Sequence, residues 1–139
     1  MPALFNFEVH TPYRPFFIGM AESVVLTLVD GEIGVYAHHA AFTAPSVSCI
    51  LRIKDENGVI RHAFIAEGIL EVKDHKDVLM VDAAEWPEEI NPERARAALR
   101  KAEERLKSPR VKLEADRVKA KLRRAQFRLK LWEMEKRGG

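Results

Sequence analysis

The feature that most constrains this fold is a change of rhythm near Pro87. Before it, apolar residues alternate with polar ones; after it, they recur every three or four residues. The first period belongs to a half-buried strand and the second to a helix. In "FNFEVH", Phe5, Phe7 and Val9 alternate with Asn6, Glu8 and His10. "ESVVLTLV" is β-branched and bounded by "GM" and "DGE". "SCILRI" leads into "KDENGVI", where Asn57-Gly58 predicts a type I′ hairpin turn, because both central residues of that turn need positive φ. "HAFIAEGILEV" and "DVLMVDA" read as two more strands, joined by the polar "KDHK". Short strands with turn signals roughly every ten residues predict a sandwich or barrel. No helical segment separates them, which argues against a parallel α/β sheet.

Beyond Pro87 the order Asn91, Pro92, Glu93 is a helix start: an N-cap, a proline at the first helical position and an acid in the first turn. Ala95, Ala98, Leu99, Ala102 and Leu106 then form one apolar stripe. "KSPR" ends it, since Pro109 cannot continue a helix. A second stripe, Ala115, Val118, Leu122, Ala125, Leu129 and Trp132, alternates in steps of three and four and runs toward Gly138-Gly139. Two helices with so short a break should pack antiparallel. Alanines in the seam predict a close approach and a thin core, so the pair needs something to dock on. The expected architecture is therefore α+β: an N-terminal antiparallel β-sandwich over residues 1–86, then a C-terminal antiparallel helical hairpin over 87–139.

Charge divides at nearly the same place. Residues 1–89 carry six Lys/Arg against fourteen Asp/Glu, net −8; residues 90–139 carry seventeen against seven, net +10. The overall balance of +2 conceals this. Such asymmetry predicts different partners for the halves, with an acidic surface for the basic one. Arg117, Lys121, Arg124 and Arg128 fall on one helix face, and so do Arg94 and Lys101. A solvated surface with snorkelling basic stems is the simplest account. Docking on an acidic protein, or a phosphate chain held between the helices, is the sharper one. Nucleic acid ranks last, because the hairpin's apolar residues fall in the seam and no aromatic stacking platform is evident.

Independent catalysis has little to stand on. There is no Gly-rich phosphate loop and no spaced Cys/His cluster. His38-His39 are adjacent, and adjacent side chains usually diverge, so they read as loop surface and not as metal ligands. Ser46 and Ser48 lack a nucleophile's context, and the scattered acids offer no acid–base pair. Cys49, the single cysteine, sits in an apolar run and reads as a small buried hydrophobe. The N-terminus has neither a basic n-region nor a long apolar run, so no signal peptide is expected. No run approaches about 18 apolar residues, so no membrane insertion is expected either.

In order and spacing these segments resemble the epsilon subunit family of bacterial and chloroplast F-type ATP synthases over essentially the whole length. "DGEIGVYAHHAAF" (Asp30–Phe42) is similar to the family's Gly-Glu-[Ile/Leu]-Gly segment and Pro-Gly-His-Ala-Pro loop. "AEGILEVKDHKDVLMVDAAE" (Ala66–Glu85) resembles its Gly-Gly-[Phe/Ile]-Leu-Glu-Val hairpin and following strand. "INPERARAALRKAEERLKS" and "RRAQFRLKLWEM" resemble the start and end of its helical pair. The resemblance implies a non-catalytic subunit of the rotary central stalk, with no required cofactor. Its partners would be the gamma subunit, the c-ring and the alpha–beta hexamer, and it would sit peripherally on the cytoplasmic face of the bacterial inner membrane. In the family the helical pair, when extended toward the hexamer, restrains ATP hydrolysis; here Arg117, Lys121, Arg124 and Arg128 would face acidic residues of the beta subunit.

Residue by residue, the resemblance places Glu32, His38 and His39 in the segment that contacts gamma and the c-ring. His38 stands for the loop glycine, and Ala37 and Ala41 for its prolines, which predicts a different loop backbone. Some members bind ATP on the hairpin through an [Ile/Leu]-Asp-x-x-Arg-Ala motif. Ile90, Arg94 and Ala95 match it; Glu85, Arg124 and Arg128 match further nucleotide-facing positions, and Lys101 replaces a common arginine. Asn91 takes the aspartate's place. It keeps the cap but cannot accept charge-assisted bonds as a carboxylate does. Lys101 brings charge without a bidentate fork. ATP as a regulatory ligand is thus expected to bind weakly or not at all, which leaves an ATP-sensing hairpin as the second reading.

Overall fold

The computed structural model describes residues 3–74, 76–108 and 114–138. The chain divides into two compact units, residues 1–84 and 85–139.

The first unit is all β. Its strands are β1 (Phe5–His10), β2 (Pro15–Leu28), β3 (Gly31–Tyr36), β4 (Phe42–Ser46), β5 (Cys49–Asp55), β6 (Ile60–Ile65), β7 (Gly68–Lys73) and β8 (Lys76–Val81). A two-residue β9 (Ala84–Glu85) falls at the division. The long β2 makes this a sandwich. Its first half pairs with β1 (Glu8 opposite Ile18), which continues through β8 and β7 to β4. Its second half pairs with β3 on one side and β5 on the other, and β5 continues to β6. The register against β5 slips between Ala21 and Ser23, so the strand changes sheets at a bulge, the usual corner device of two packed sheets. Apart from β1–β8, which runs parallel, the pairs with described register are antiparallel.

The alternation in the sequence fixes which face is buried. Phe5, Phe7 and Val9 of β1, Val24 and Leu26 of β2, Leu51 and Ile53 of β5, and Leu70 and Leu79 of β7 and β8 form the core. Each such side chain contributes about 1.5–3 kcal/mol by leaving water. Cys49 belongs to this core, its sulfur accepting the Thr27 N–H at 3.4 Å.

Several sequence readings need correction. β2 starts at Pro15, seven residues before Glu22; the "GM" within it was read as a boundary, but Gly19 and Met20 lie mid-strand opposite Phe7 and Asn6. "HAFIAEGILEV" is two strands, because the chain turns at Ala66-Glu67. The strands β3 and β4 lack strong alternation and are held by pairing with β2 and β7. The β5–β6 turn is not type I′. Only Gly58 has positive φ (77°); Asn57 does not. Gly58 N–H closes on the Asp55 carbonyl at 3.0 Å, while the Asp55 carboxylate accepts the Asn57 and Val59 N–H groups, both at 2.9 Å. That side chain selects a type I turn followed by one left-handed glycine.

Gly68 has a different task. A Cβ there would lie 1.9 Å from the Met80 carbonyl oxygen, so only glycine lets β7 and β8 meet in this register.

The second unit comprises a 3₁₀ turn (Pro87–Glu89), α1 (Pro92–Leu106) and α2 (Ala115–Gly138). Ala95 and Ala102 of α1 and Val118 and Ala125 of α2 are buried, with Arg96 at the start of α1 stacked over Trp132 near the end of α2. Arg105, at the other end of α1, pairs with Glu114, so the helices are antiparallel. Ala98, expected in the seam, is exposed. Leu131, off the expected stripe, is fully buried. Pro109, the expected helix breaker, lies outside the described residues; α1 stops at Leu106.

Candidate functional site

The N-terminus of α1 shapes one end of the helical unit. Asn91 is extended (φ −95°, ψ 106°), and its Oδ1 accepts the Arg94 N–H at 3.0 Å. The capping residue's amide oxygen is thus engaged by the helix. The preceding 3₁₀ turn is stapled by Glu89, whose carboxylate accepts the Trp86 N–H at 2.9 Å. Beside these caps lies a cavity of about 340 Å³, lined by Glu85, Glu89, Asn91, Arg94, Arg128 and the methyl groups of Ala95 and Ala98. Arg128 spans it with a two-pronged contact: its Nε donates to one oxygen of Glu85 at 3.0 Å and an η nitrogen to the other at 3.1 Å.

A second cavity, of about 280 Å³, continues along the groove between the helices, and the two share Ala98 and Arg128. Its floor is Ala98, Ala102 and Val118; its walls carry Lys101, Arg105, Lys121, Arg124 and Arg128. The electrostatics of the two chambers therefore differ. The first sets two carboxylates against two guanidinium groups. The second has five cations and no acidic lining residue. Like charges gathered in a concave site favour an anion of several charges, and arginine suits phosphate or carboxylate because its fork is planar.

Of the eight residues expected to face a nucleotide, Glu85, Asn91, Arg94, Ala95 and Arg128 line the first chamber, and Lys101, Arg124 and Arg128 the second. Ile90 is buried and lines neither. The sequence reading missed Arg105, yet Arg94, Ala98, Lys101 and Arg105 repeat on α1 the spacing of Arg117, Lys121, Arg124 and Arg128 on α2. That matching ladder was the available signal. The expected basic face of α2 is also divided: Arg117 is exposed and outside both chambers, whereas Arg128 is half-buried and engaged by Glu85.

In the sandwich, Glu32 is exposed on β3, opposite Thr27. His38 and His39 both line one cavity at the β3–β4 loop. His38 holds φ +65°, the left-handed conformation that glycine favours. His39 Nδ1 lies 2.9 Å from the Ala40 carbonyl, and its ring packs on Phe42. Among the described residues no three His, Cys, Asp or Glu side chains are grouped to hold a metal. Ser48 is buried, its hydroxyl donating to Glu67 at 2.6 Å.

Fold and site together define a sandwich joined to a cationic helical hairpin. The family described as "ATP synthase, Delta/Epsilon chain, beta-sandwich domain" matches residues 4–87, and "ATP synthase, Delta/Epsilon chain, long alpha-helix domain" matches residues 88–133. The ATP synthase epsilon chain of Caldicellulosiruptor bescii is 46% identical over 134 residues, covering 96% of this chain and 97% of that one. That of Clostridium perfringens is 41% identical over 130 residues, covering 94% and 98%. A chain in the cryo-EM structure of the Euglena gracilis mitochondrial ATP synthase shares the fold, with a TM-score of 0.75 at 23% identity over 97% of this chain and 82% of that chain. This chain therefore belongs to the epsilon chains of F-type ATP synthases, non-catalytic members of that complex.

Proposed function

We propose that the chain is a rotor subunit of the central stalk, coupling gamma to the c-ring through its sandwich and restraining ATP hydrolysis through its helices. The observation that carries this reading is the division of charge: an acidic sandwich of net −8 ahead of a basic hairpin of net +10, whose second chamber gathers five cations. A hairpin with so few large buried side chains is suited to open and to lay its cations on an acidic surface of the alpha–beta hexamer. Residues 1–86 would make the gamma and c-ring contacts, with Glu32, His38 and His39 among them, and residues 87–139 would regulate. No described helix is long and apolar enough to cross a membrane. The assembled complex would hold the chain peripherally on the cytoplasmic face of the bacterial inner membrane, with no nucleic-acid partner. The test is ATP hydrolysis by the complex carrying the full chain or one ending at Glu89. The truncated chain should co-purify with gamma and release hydrolysis; equal restraint by both would end the inhibitory role.

A second reading, ATP sensing, is favoured by the convergence of seven of eight expected residues on two joined chambers. Here ATP is a regulatory ligand and no cofactor is required. The phosphates would take the five-cation chamber. Asn91 offers no carboxylate, and Arg128 must leave Glu85 to bind an anion with its fork. Calorimetry should show weak binding, abolished by Arg94→Ala and strengthened by Asn91→Asp. Silence at millimolar ATP would remove this reading and leave the first intact.

A further inference from the structure

A third cavity lies in the sandwich unit, and its lining includes Asp77, the first residue of "DVLMVDA", to which the sequence reading gave no role. β8 turns Asp77, Leu79 and Val81 to the core and leaves Lys76, Val78 and Met80 more exposed. Leu79 and Val81 are what a core face requires; Asp77 is a carboxylate with 3% of its surface exposed. Its cross-strand neighbours are Phe7 on β1 and Val72 on β7, both buried. Burial raises its carboxyl above the ordinary range, while a backbone hydrogen bond at Lys73 and, more weakly, the charge of His39 act the other way. Among the described residues no Lys or Arg forms an ion pair with it. A buried carboxylate so placed is costly unless something pairs with it.

Asp77 lines a cavity of about 350 Å³ together with Leu4, Met20, Tyr36, His38 and His39. We propose that this cavity receives a basic side chain, lysine or arginine, of a neighbouring subunit of the complex. The cationic head meets Asp77, and the alkyl stem lies along Leu4, Met20 and the Tyr36 ring. This deepens the partner-contact reading of His38 and His39 and rests on it. The space is many times the ~30 Å³ share of one water, too roomy for a bare ion without a cluster of ligands. Its apolar and aromatic lining of Leu4, Met20, Tyr36 and Val72 flanks two acids, the deep Asp77 and Asp74, while its lysine, Lys73, is paired with Glu71; that combination suits a side chain of apolar stem and charged tip. The sandwich's net negative charge draws such a cation toward it. His38, in a left-handed backbone conformation, lines the same cavity from the β3–β4 loop.

The experiment titrates the full chain onto ATP synthase complex stripped of it, comparing wild type with Asp77→Asn and Asp77→Val, and follows thermal unfolding of each chain alone. Both variants should bind the complex at least about tenfold more weakly, with a shallower salt dependence, although neither unfolds at lower temperature. A residue with only a structural role would lower the unfolding temperature on replacement and leave affinity untouched. Equal affinity of all three chains overturns the cavity proposal; failure of the wild-type chain to bind overturns the partner reading beneath it. NMR shifts at Val72 and Asp77 produced by millimolar Mg²⁺ or K⁺ alone, with partner affinity unchanged in the variants, would assign the cavity to a small cation and likewise overturn the proposal.

Discussion

The sandwich and the hairpin are stabilised in opposite ways. The sandwich is closed by pairings between strands far apart in sequence, β1 with β8 and β4 with β7, and its core contains large side chains sealed from water, such as Phe7, Phe64 and Leu51. The buried residues of the helices are alanines and one valine, with Leu131 the only large side chain fully buried there among the described residues. Small residues permit close approach but remove little apolar area from water. The hairpin also brings five cations together in one chamber, where pairing of Arg105 with Glu114 and of Arg128 with Glu85 offsets part of their mutual repulsion. One unit therefore rests on a core of large side chains and the other on a thin, cationic seam.

The contrast can be broken most severely at Gly68. Gly68→Ala forces a methyl group into the Met80 carbonyl, and the sandwich should lose about 3 kcal/mol or more in urea titration. An unchanged midpoint would mean that β7 and β8 shift register freely. Next in size is Val118→Asp. An unpaired carboxylate at a buried seam position should cost the helical pair about 2–3 kcal/mol, removing helical circular dichroism while near-ultraviolet signals of the sandwich persist. Concerted loss of both signals would refute independent responses of the two units.

A third test adds stability. Asp77→Val should raise the unfolding temperature at neutral pH, by roughly 1 kcal/mol in stability. The sign follows from the raised carboxyl: the folded chain holds this proton more tightly than the unfolded chain does. Stability is therefore greatest below the unfolded value, about 3.9, and falls as pH rises through the folded one. The gain from Asp77→Val should widen from pH 4 toward pH 7, on the order of the carboxylate range. His38, His39, Lys73 and Asp74 line the same cavity, so the profile should be repeated with His38 and His39 both replaced by Gln. The smallest effect is at His38. His38→Gly relieves a left-handed residue at the cost of chain entropy, for a net gain of up to about 1 kcal/mol by thermal melt.

Much of this was legible in the chain before folding. Strict alternation located β1, and the order Asn91, Pro92, Glu93 located the start of α1, because both signals depend on near neighbours. β3 and β4 were not legible, since pairing with β2 and β7 holds them and their own composition is weak. The turn after β5 was misjudged because the Asp55 carboxylate, not Asn57, chooses its geometry. In the groove, the family resemblance supplied eight positions, of which seven line the chambers, but not that Arg128 is already engaged by Glu85 from 43 residues away.

By itself, the sequence determined the two units, the helix start and the partition of charge, because periodicity, capping and net charge are local or additive properties. Tertiary structure alone decided the sheet change at β2, the convergence of α1 and α2 cations on one chamber, and the burial of Asp77. Each of these depends on which distant segments are brought together, and period-2 alternation marks the face Asp77 occupies without revealing what surrounds it.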